Sequence, residues 1–454
     1  MHSRHSWLKN NSCFRSAFSR SRGKFIIALA GTLNYNNKIM EENELIGNLL
    51  VAQSGGPTPV INASLAGVVM EALNYGEIEE VYGALNGVKG ILEDNLIDLA
   101  VEDASTINLL KTTPGAALGS CRVKLKTEEQ MAGILATFKK HNIRYFHYIG
   151  GNDSQDSSHQ IYEYCKAHGY EIRVIGVPKT IDNDLMCTDH CPGYGSTIKY
   201  LSTSIRELAC DCASLGNHDL VTIVEVMGRN AGWIAAGTLL ARRKGMSKDA
   251  PHIILLPERA FNPNAFIAEI YECLKTQKHC LVVAAEGIVD ASGNLIGASN
   301  ASVDAFGHSK LGGACDYLES LVSASIQGVK TRVVRMGHVQ RTASHFASKA
   351  DIDDAFNAGR YAVKMAVEGE TGKMVAFSRV DDKRMSLVLV DLAGVANGVR
   401  VVPDSYIGEN GMSITPAFIK YARPLTQGLM DMAGTLDEFG IPKMAILKAV
   451  PVTV

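Results

Sequence analysis

Two carboxylates, Asp182 and Asp184, flank Asn183 in the stretch VPKTIDNDL, and Lys179 stands three residues before the first of them. In an extended or turning segment, residues i and i+2 project to one side. Such a pair suits phosphoryl transfer. One carboxylate takes a proton from an attacking hydroxyl, while the other holds Mg2+ or orients the first. Asp and Asn are also common turn formers, so an Asx-rich turn accounts for the same residues equally well on local grounds.

Several other polar clusters invite a similar reading. The stretch YIGGNDSQDSSHQ follows the apolar run 145–149 and reads as a strand end, a glycine turn and a helix start. Helix N-terminal amides at such a turn hold phosphate, yet Asp153 places a negative charge in it. SGGPTPVINAS contributes Gly55 and Gly56, whose backbone can approach an anion but which serve as well in a tight strand-to-helix turn. PGAALGSCRVKL brings Arg122 close to Lys124; taken alone, Arg122 fits a solvated surface. EVMGRNAGW supplies Met227, Gly228 and Arg229, and AAEG supplies Glu286, an acceptor suited to sugar hydroxyls. KTRVVRMGHVQR carries Arg332, His338 and Arg341. A lone histidine is more often a satisfied core residue, but two flanking arginines suit a dianionic phosphate.

The elements that must position these groups follow one recurring pattern. An apolar β-rich run leads into a polar glycine loop and then a helical period, as in NLLVAQSGGPTPVINASLAGVVMEAL and LVTIVEVMGRNAGWIAAGTLLA. Near-continuous apolar strands alternating with helices imply parallel sheets covered on both faces. The expectation is an α/β chain of two Rossmann-like, three-layer domains with mainly parallel sheets. Ligands in such sheets bind beyond the carboxyl ends of the strands, where nearly all these clusters fall. The active site is therefore expected in the cleft between the domains.

Bulk properties exclude several function classes. The 454 residues are 46% hydrophobic and 20% charged, with formal net charge −2, so no global field draws nucleic acid or an anionic membrane. Ten cysteines are scattered, and the close pairs Cys187/Cys191 and Cys210/Cys212, even with His190, lack a second ligand pair at zinc spacing. Reduced thiols in a cytoplasmic enzyme are the better reading. Residues 1–40 hold seven Lys/Arg and no acid. Their apolar run, residues 25–30, is too short to span a bilayer. Met40 opens MEENELIGNLLVAQSGG, which reads as a start followed by the first strand. Residues 1–45 are thus expected to be a disordered extension, although a targeting peptide has the same basic, acid-poor character.

In combination, GGNDS, PKTIDND, MGRNAG, AAEG and GHVQR, in that order, resemble the phosphofructokinases over about residues 49–363. The resemblance implies Mg2+-dependent phosphate transfer to the 1-hydroxyl of fructose 6-phosphate. Asp182 resembles the base, Asp184 its metal-linked neighbour, and Thr180 and Arg229 groups beside the transferring phosphoryl. Met227, Gly228, Glu286, His338 and Arg341 resemble the sugar-phosphate site, to which Thr180, Asp182 and Arg229 also contribute. Gly56, Arg122, Asn152, Asp153, Ser154 and Lys179 resemble the donor side, with Asn152 and Asp184 toward the metal. Arg332 resembles an arginine given to a neighbouring subunit's 6-phosphate site, implying a homodimer or homotetramer.

The donor follows from Asp153 and Lys179. ATP-using members have Gly at both positions, whereas pyrophosphate-using members have Asp and Lys. A carboxylate at Asp153 occupies the place of a nucleotide's inner phosphate and repels it, while Lys179 offers a cation to a small, highly charged donor. Pyrophosphate is the expected donor, in a reversible reaction. An ATP-dependent enzyme, a kinase for sedoheptulose 7-phosphate and a silent regulatory subunit are the alternatives; the last is disfavoured because Asp182 and Arg229 are both present. Two positions depart from the family pattern. Asn152 stands where many relatives have Asp, and Leu220 where many have a second inter-subunit arginine. The domain expectation is 46–192 for the donor, rejoined by about 340–390, and 193–339 for the sugar phosphate, joined by 391–454.

Overall fold

The computed structural model describes residues 45–215, 220–297, 313–381, 384–396, 398–428, 435–438 and 441–453. The expected N-terminal extension lies outside the described residues apart from Leu45. Two sheets organise the rest. The larger has seven strands in the order β11-β10-β5-β4-β1-β2-β3, and the smaller four in the order β7-β8-β6-β9.

The larger sheet is built from β1 (Gly47–Gln53), β2 (Ile78–Ala84), β3 (Leu96–Asp98), β4 (Ile143–Gly150), β5 (Arg173–Pro178), β10 (Lys373–Arg379) and β11 (Met385–Asp391). Its central strands run parallel, and only the outer pairs β2–β3 and β10–β11 are antiparallel. Leu49, Leu50, Val51 and Ala52 of β1 have no exposed surface. They alternate between two apolar layers, one on each face of the sheet. That two-sided burial is why the strand reads as unbroken hydrophobic sequence.

One layer holds the helices Ile61–Ala72 and Lys349–Val367, which approach backbone to backbone. A Cβ on Gly67 would lie 2.1 Å from the Phe356 carbonyl oxygen, and one on Gly359 would lie 2.2 Å from that of Ser64. Two glycines facing each other's helix thus draw the late helix back onto the first sheet.

The smaller sheet comprises β6 (Leu220–Val226), β7 (Ile253–Leu255), β8 (His279–Ala285) and β9 (Lys330–Arg335), all parallel. The helix Tyr194–Ser214 packs Ile198, Leu201 and Ile205 into its core. Val402, Phe418, Tyr421 and Leu425 pack there too. The last stretch departs from the expected division, which placed all of 391–454 with this lobe. Val450 O accepts the Asp98 N–H at 2.9 Å, and the Val452 N–H donates to Leu96 O at 3.0 Å. The short edge strand β3 leaves backbone groups unpaired, and the chain's end supplies partners for them. Among the described residues, no helix is long and apolar enough to cross a membrane.

Candidate active site

The chain just beyond the carboxyl ends of β4, β5, β6 and β8 forms the site, where Asp182 past β5, Glu286 past β8 and Arg341 act on one another electrostatically. Past β5, the turn at Asn183 is left-handed, with φ 55°. Asn tolerates that conformation better than most residues, and here every polar side-chain atom secures it. Asn183 Oδ1 accepts the Cys191 N–H at 2.9 Å, and Nδ2 donates to the Tyr421 hydroxyl at 2.8 Å. Its carbonyl accepts from Arg400 Nε and Nη2 at 3.2 and 2.8 Å. Asp182 and Asp184 leave this clamped residue on either side.

Asp182 is partly buried among like charges. Burial first, then Asp184 and Glu286, push its carboxyl up to about 7, against the pull of Lys179 and Arg341. Burial also raises Asp184, opposed by hydrogen bonds from its own backbone N–H and from Thr180. Thr180 Oγ1 in turn accepts the Asp182 N–H at 3.0 Å. Asn152 Nδ2 donates to Asp184 Oδ2 at 2.9 Å, which leaves Asn152 Oδ1 buried without a hydrogen-bond partner. That orphaned oxygen beside a carboxylate is a hard-donor pair of the kind that suits Mg2+.

Two cations complete the centre. Lys179 is 2% exposed and donates to Gly56 O at 2.7 Å. Burial lowers its ammonium to about 8, with Asp182 opposing the shift. Arg341 is lowered by burial and then by the neighbouring Arg122, while Asp182 and Glu286 favour its charge. The loop after β1 admits both cations because it carries no side chains there. Gly55 has φ 77°, and a Cβ on it would lie 3.1 Å from Lys179 Nζ. A Cβ on Gly56 would lie 3.0 Å from Arg341 Nη1.

The second lobe delivers Glu286 just past β8. Its N–H donates to Val226 O at 2.9 Å, and the next residue, Gly287, donates to Gly228 O at 3.2 Å. Burial raises the Glu286 carboxyl, while the Gly228 backbone, Arg229 and Arg341 oppose that, Glu225 adding to the rise. Met227 N–H is held at 3.0 Å by Gln340 Oε1, so the end of β6 and the GHVQR turn move as one piece.

Not every expected residue joins this cluster. Asp153 opens the helix Asn152–Ala167 but is over half exposed and pairs with Lys124 at 3.1 Å. Ser154 is buried under Gly150, where a Cβ would lie 2.0 Å from its hydroxyl oxygen. His338 is exposed on the turn Gly337–Arg341. Arg332 lies on the edge strand β9 and pairs with Asp211 at 2.7 Å.

Sequence reasoning missed Arg400, Tyr421, Gln340 and Asp351. Asp351 accepts the N–H groups of Gly193 and Ser196 at 2.9 and 2.8 Å, fixing the start of the helix Tyr194–Ser214. His190, weighed above as a metal ligand, instead gives both ring nitrogens to carboxylates, Asp189 at 3.1 Å and Asp354 at 3.0 Å.

Partly buried acids clustered with Lys179 and Arg341 beyond the ends of parallel strands fit phosphoryl transfer, and the comparisons with known proteins agree. The phosphofructokinase family model matches residues 48–366. This chain belongs to the phosphofructokinase family. Its relatives include the pyrophosphate–fructose 6-phosphate 1-phosphotransferase of Xanthomonas campestris pv. campestris, 43% identical over 413 residues, covering 89% of this chain and 97% of that protein. The protein of the same name from Halomonas elongata is 39% identical, covering 88% and 96%. Among solved structures, the pyrophosphate-dependent phosphofructokinase from Marinobacter aquaeolei superposes with TM-score 0.81 at 37% identity, covering 90% of this chain and 98% of that one. This phosphofructokinase holds its TIDND turn with Arg400 and Tyr421, residues more than two hundred positions away in sequence.

Proposed function

We propose that this phosphofructokinase transfers phosphate reversibly from pyrophosphate to the 1-hydroxyl of fructose 6-phosphate, giving fructose 1,6-bisphosphate and phosphate. The observation that carries the reading is Lys179, 2% exposed and under the influence of the Asp182 and Asp184 carboxylates, with Asp153 standing in the first turn of the helix Asn152–Ala167. In the first lobe the donor lies against the Gly55–Gly56 loop, with Arg122 and Ser154 nearby. Asp153 narrows that site where a nucleotide would extend. Because Lys124 balances part of its charge, volume contributes to the exclusion along with repulsion.

The second lobe receives the sugar phosphate. Glu286 accepts sugar hydroxyls, Met227 and Gly228 line the ring, and Arg341 with His338 grips the 6-phosphate. Asp182 takes the proton from the 1-hydroxyl as that oxygen attacks phosphorus. A carboxyl poised at about 7 is matched to giving the proton back in the reverse direction. Arg229 and Lys179 stand where charge grows on the transferring and departing phosphates, and Thr180 keeps Asp182 and Asp184 in register. Asp184 and Asn152 would hold Mg2+, which shields donor oxygens when bound. Arg332, on an exposed edge strand, is assigned to the 6-phosphate site of a neighbouring copy in a homo-oligomer.

Donor assays test the reading. With fructose 6-phosphate and Mg2+, pyrophosphate should support turnover and ATP should not. Equal use of the two would overturn it.

A further inference from the structure

Away from this site, at the amino-terminal edge of the smaller sheet, a cluster of two thiols and an imidazole has no place in the phosphate-transfer reaction. Cys273 lies near the end of the helix Pro263–Thr276, Cys280 follows on β8, and His252 immediately precedes β7. One ring nitrogen of His252 and the sulfurs of Cys273 and Cys280 lie within 4.8 Å of one another. Cys280 is buried, whereas Cys273 retains some exposure.

Such a cluster is open to two chemistries, a soft metal ion or thiol oxidation, and the histidine tautomer separates them. The Leu281 N–H donates to His252 Nδ1 at 2.8 Å, and the His252 N–H donates to Leu281 O at 2.8 Å. A ring flip would set a C–H against the Leu281 N–H, so the nitrogen assignment stands on the bond itself. Nδ1 therefore keeps its lone pair, and in the neutral ring Nε2 carries the proton. A metal on Nδ1 would displace the Leu281 N–H. A metal on Nε2 would force the proton onto Nδ1, against the same N–H. Either way, metal binding breaks the bond from the Leu281 N–H to the His252 ring.

Oxidation meets no such obstacle. Nε2 is buried with no hydrogen-bond partner, a donor that favours negative charge on a sulfur nearby. Cys280 first, then the His252 ring and the charge of the nearby His279, hold the Cys273 thiol below the usual range despite burial. The Cys280 thiol is pushed far up, first by Cys273 and then by burial. The more accessible sulfur is thus the nucleophile, and the buried one remains a thiol that can resolve it.

We propose that Cys273 and Cys280 form a reversible thiol–disulfide site that reacts with hydroperoxides, Cys273 attacking and Cys280 resolving. The Cys273 thiolate attacks one peroxide oxygen, the O–O bond breaks, and water leaves after protonation, giving a sulfenic acid. The Cys280 sulfur then attacks that sulfur, the S–S bond forms, and the Cys280 proton departs with the hydroxyl as water. Two thiols and one hydrogen peroxide become one disulfide and two waters. The sulfurs lose two electrons, which the peroxide gains.

The test uses the full-length, pre-reduced protein treated with hydrogen peroxide, then alkylated and digested with trypsin. Lys275 and Lys278 separate the two cysteines, so the disulfide appears as a cross-linked peptide pair that a dithiol reductant abolishes. Cys280→Ser should leave Cys273 as a sulfenic acid trapped by a cyclic 1,3-dione. Cys273→Ser should leave Cys280 reduced. Oxidation of the exposed Cys187 or Cys210 ahead of Cys273 would overturn the proposal. So would binding of one Zn2+ per reduced chain that shields both thiols from alkylation and is lost in His252→Ala.

Discussion

Arg400 clamps Asn183 through its carbonyl, with Nε at 3.2 Å and Nη2 at 2.8 Å, and its own N–H donates to Asp184 O at 2.8 Å. One arginine therefore sets the backbone on which both site carboxylates ride. Its guanidinium lies over the Trp233 ring at 4.4 Å, which ties the turn to the second lobe's core.

Replacing Arg400 should cost turnover more than binding. Arg400→Ala leaves the buried Asn183 carbonyl without its donors, a penalty of about 1–3 kcal/mol that falls on the left-handed turn. Asp182 and Asp184 then lose their fixed spacing. The expectation is a fall in kcat of roughly ten- to a hundredfold, by the same energy scale, with KM for fructose 6-phosphate changing much less. Arg400→Lys should recover part of the loss, since an ammonium offers the Asn183 carbonyl one bond where the guanidinium gives two. A variant with unchanged kcat and a raised KM would place Arg400 in substrate binding instead.

Asp182 itself should be indispensable to chemistry. Asp182→Ser keeps a small polar group but removes the base, so turnover should drop by roughly two to four orders of magnitude. Isothermal titration with fructose 6-phosphate should show affinity little changed, because Glu286 and Arg341 are untouched. Near-normal turnover would remove Asp182 from the mechanism.

How far the sequence reveals this arrangement depends on the distance between partners. The i and i+2 spacing of Asp182 and Asp184 is local, and so is the run of apolar strands that ends beside each cluster. The residues that hold the turn are not local. Arg400 meets Asn183 across 217 positions and Tyr421 meets it across 238, and neither sits in a stretch with a pattern of its own. The same reasoning explains the chain's end. Val450 and Val452 pair with β3 through backbone atoms, which leave no mark on side-chain pattern. Asp153 was readable as a charge in a glycine turn, but its pairing with Lys124 depends on how the loop 111–126 folds back.

Stability should depend on pH through His190. The ring is buried, which disfavours its charge, yet hydrogen bonds to Asp189 and Asp354 raise it to about 9. Its ordinary value is near 6.5, so the stabilisation is fully present below pH 6.5 and is lost as pH rises through about 9. A shift of that size corresponds to about 3 kcal/mol. Urea midpoints measured at pH 6 and pH 9 should differ more for the wild type than for His190→Asn. Asp189, whose carboxyl His190 and Arg379 hold near 2 against burial, contributes at the acid end, where its stabilisation is lost as pH falls from about 4 through 2. Equal pH dependence in the two proteins would mean that His190 is neutral when folded.

Donor choice should rest on Asp153, Lys124 and Lys179 together. Asp153 and Lys124 form an ion pair that is partly open to solvent, so its worth to stability is small and its role is to shape the entrance. Asp153→Gly removes both the volume and the charge, and ATP should then gain weak turnover while pyrophosphate use declines. Lys179→Gly should mainly harm pyrophosphate turnover, by about 2–4 kcal/mol of lost charge stabilisation at the departing phosphate. It also removes the donor to Gly56 O, so the glycine loop loosens in that variant. The double variant should prefer ATP more than either single change, and the two effects need not add if both side chains meet the same donor. Lys124→Ala separates charge from volume. If bare charge on Asp153 excludes nucleotide, removing its partner should tighten the exclusion. Steady-state kinetics with both donors across the four variants decide the matter, and an Asp153→Gly enzyme with no ATP turnover at all would show that the gate lies elsewhere.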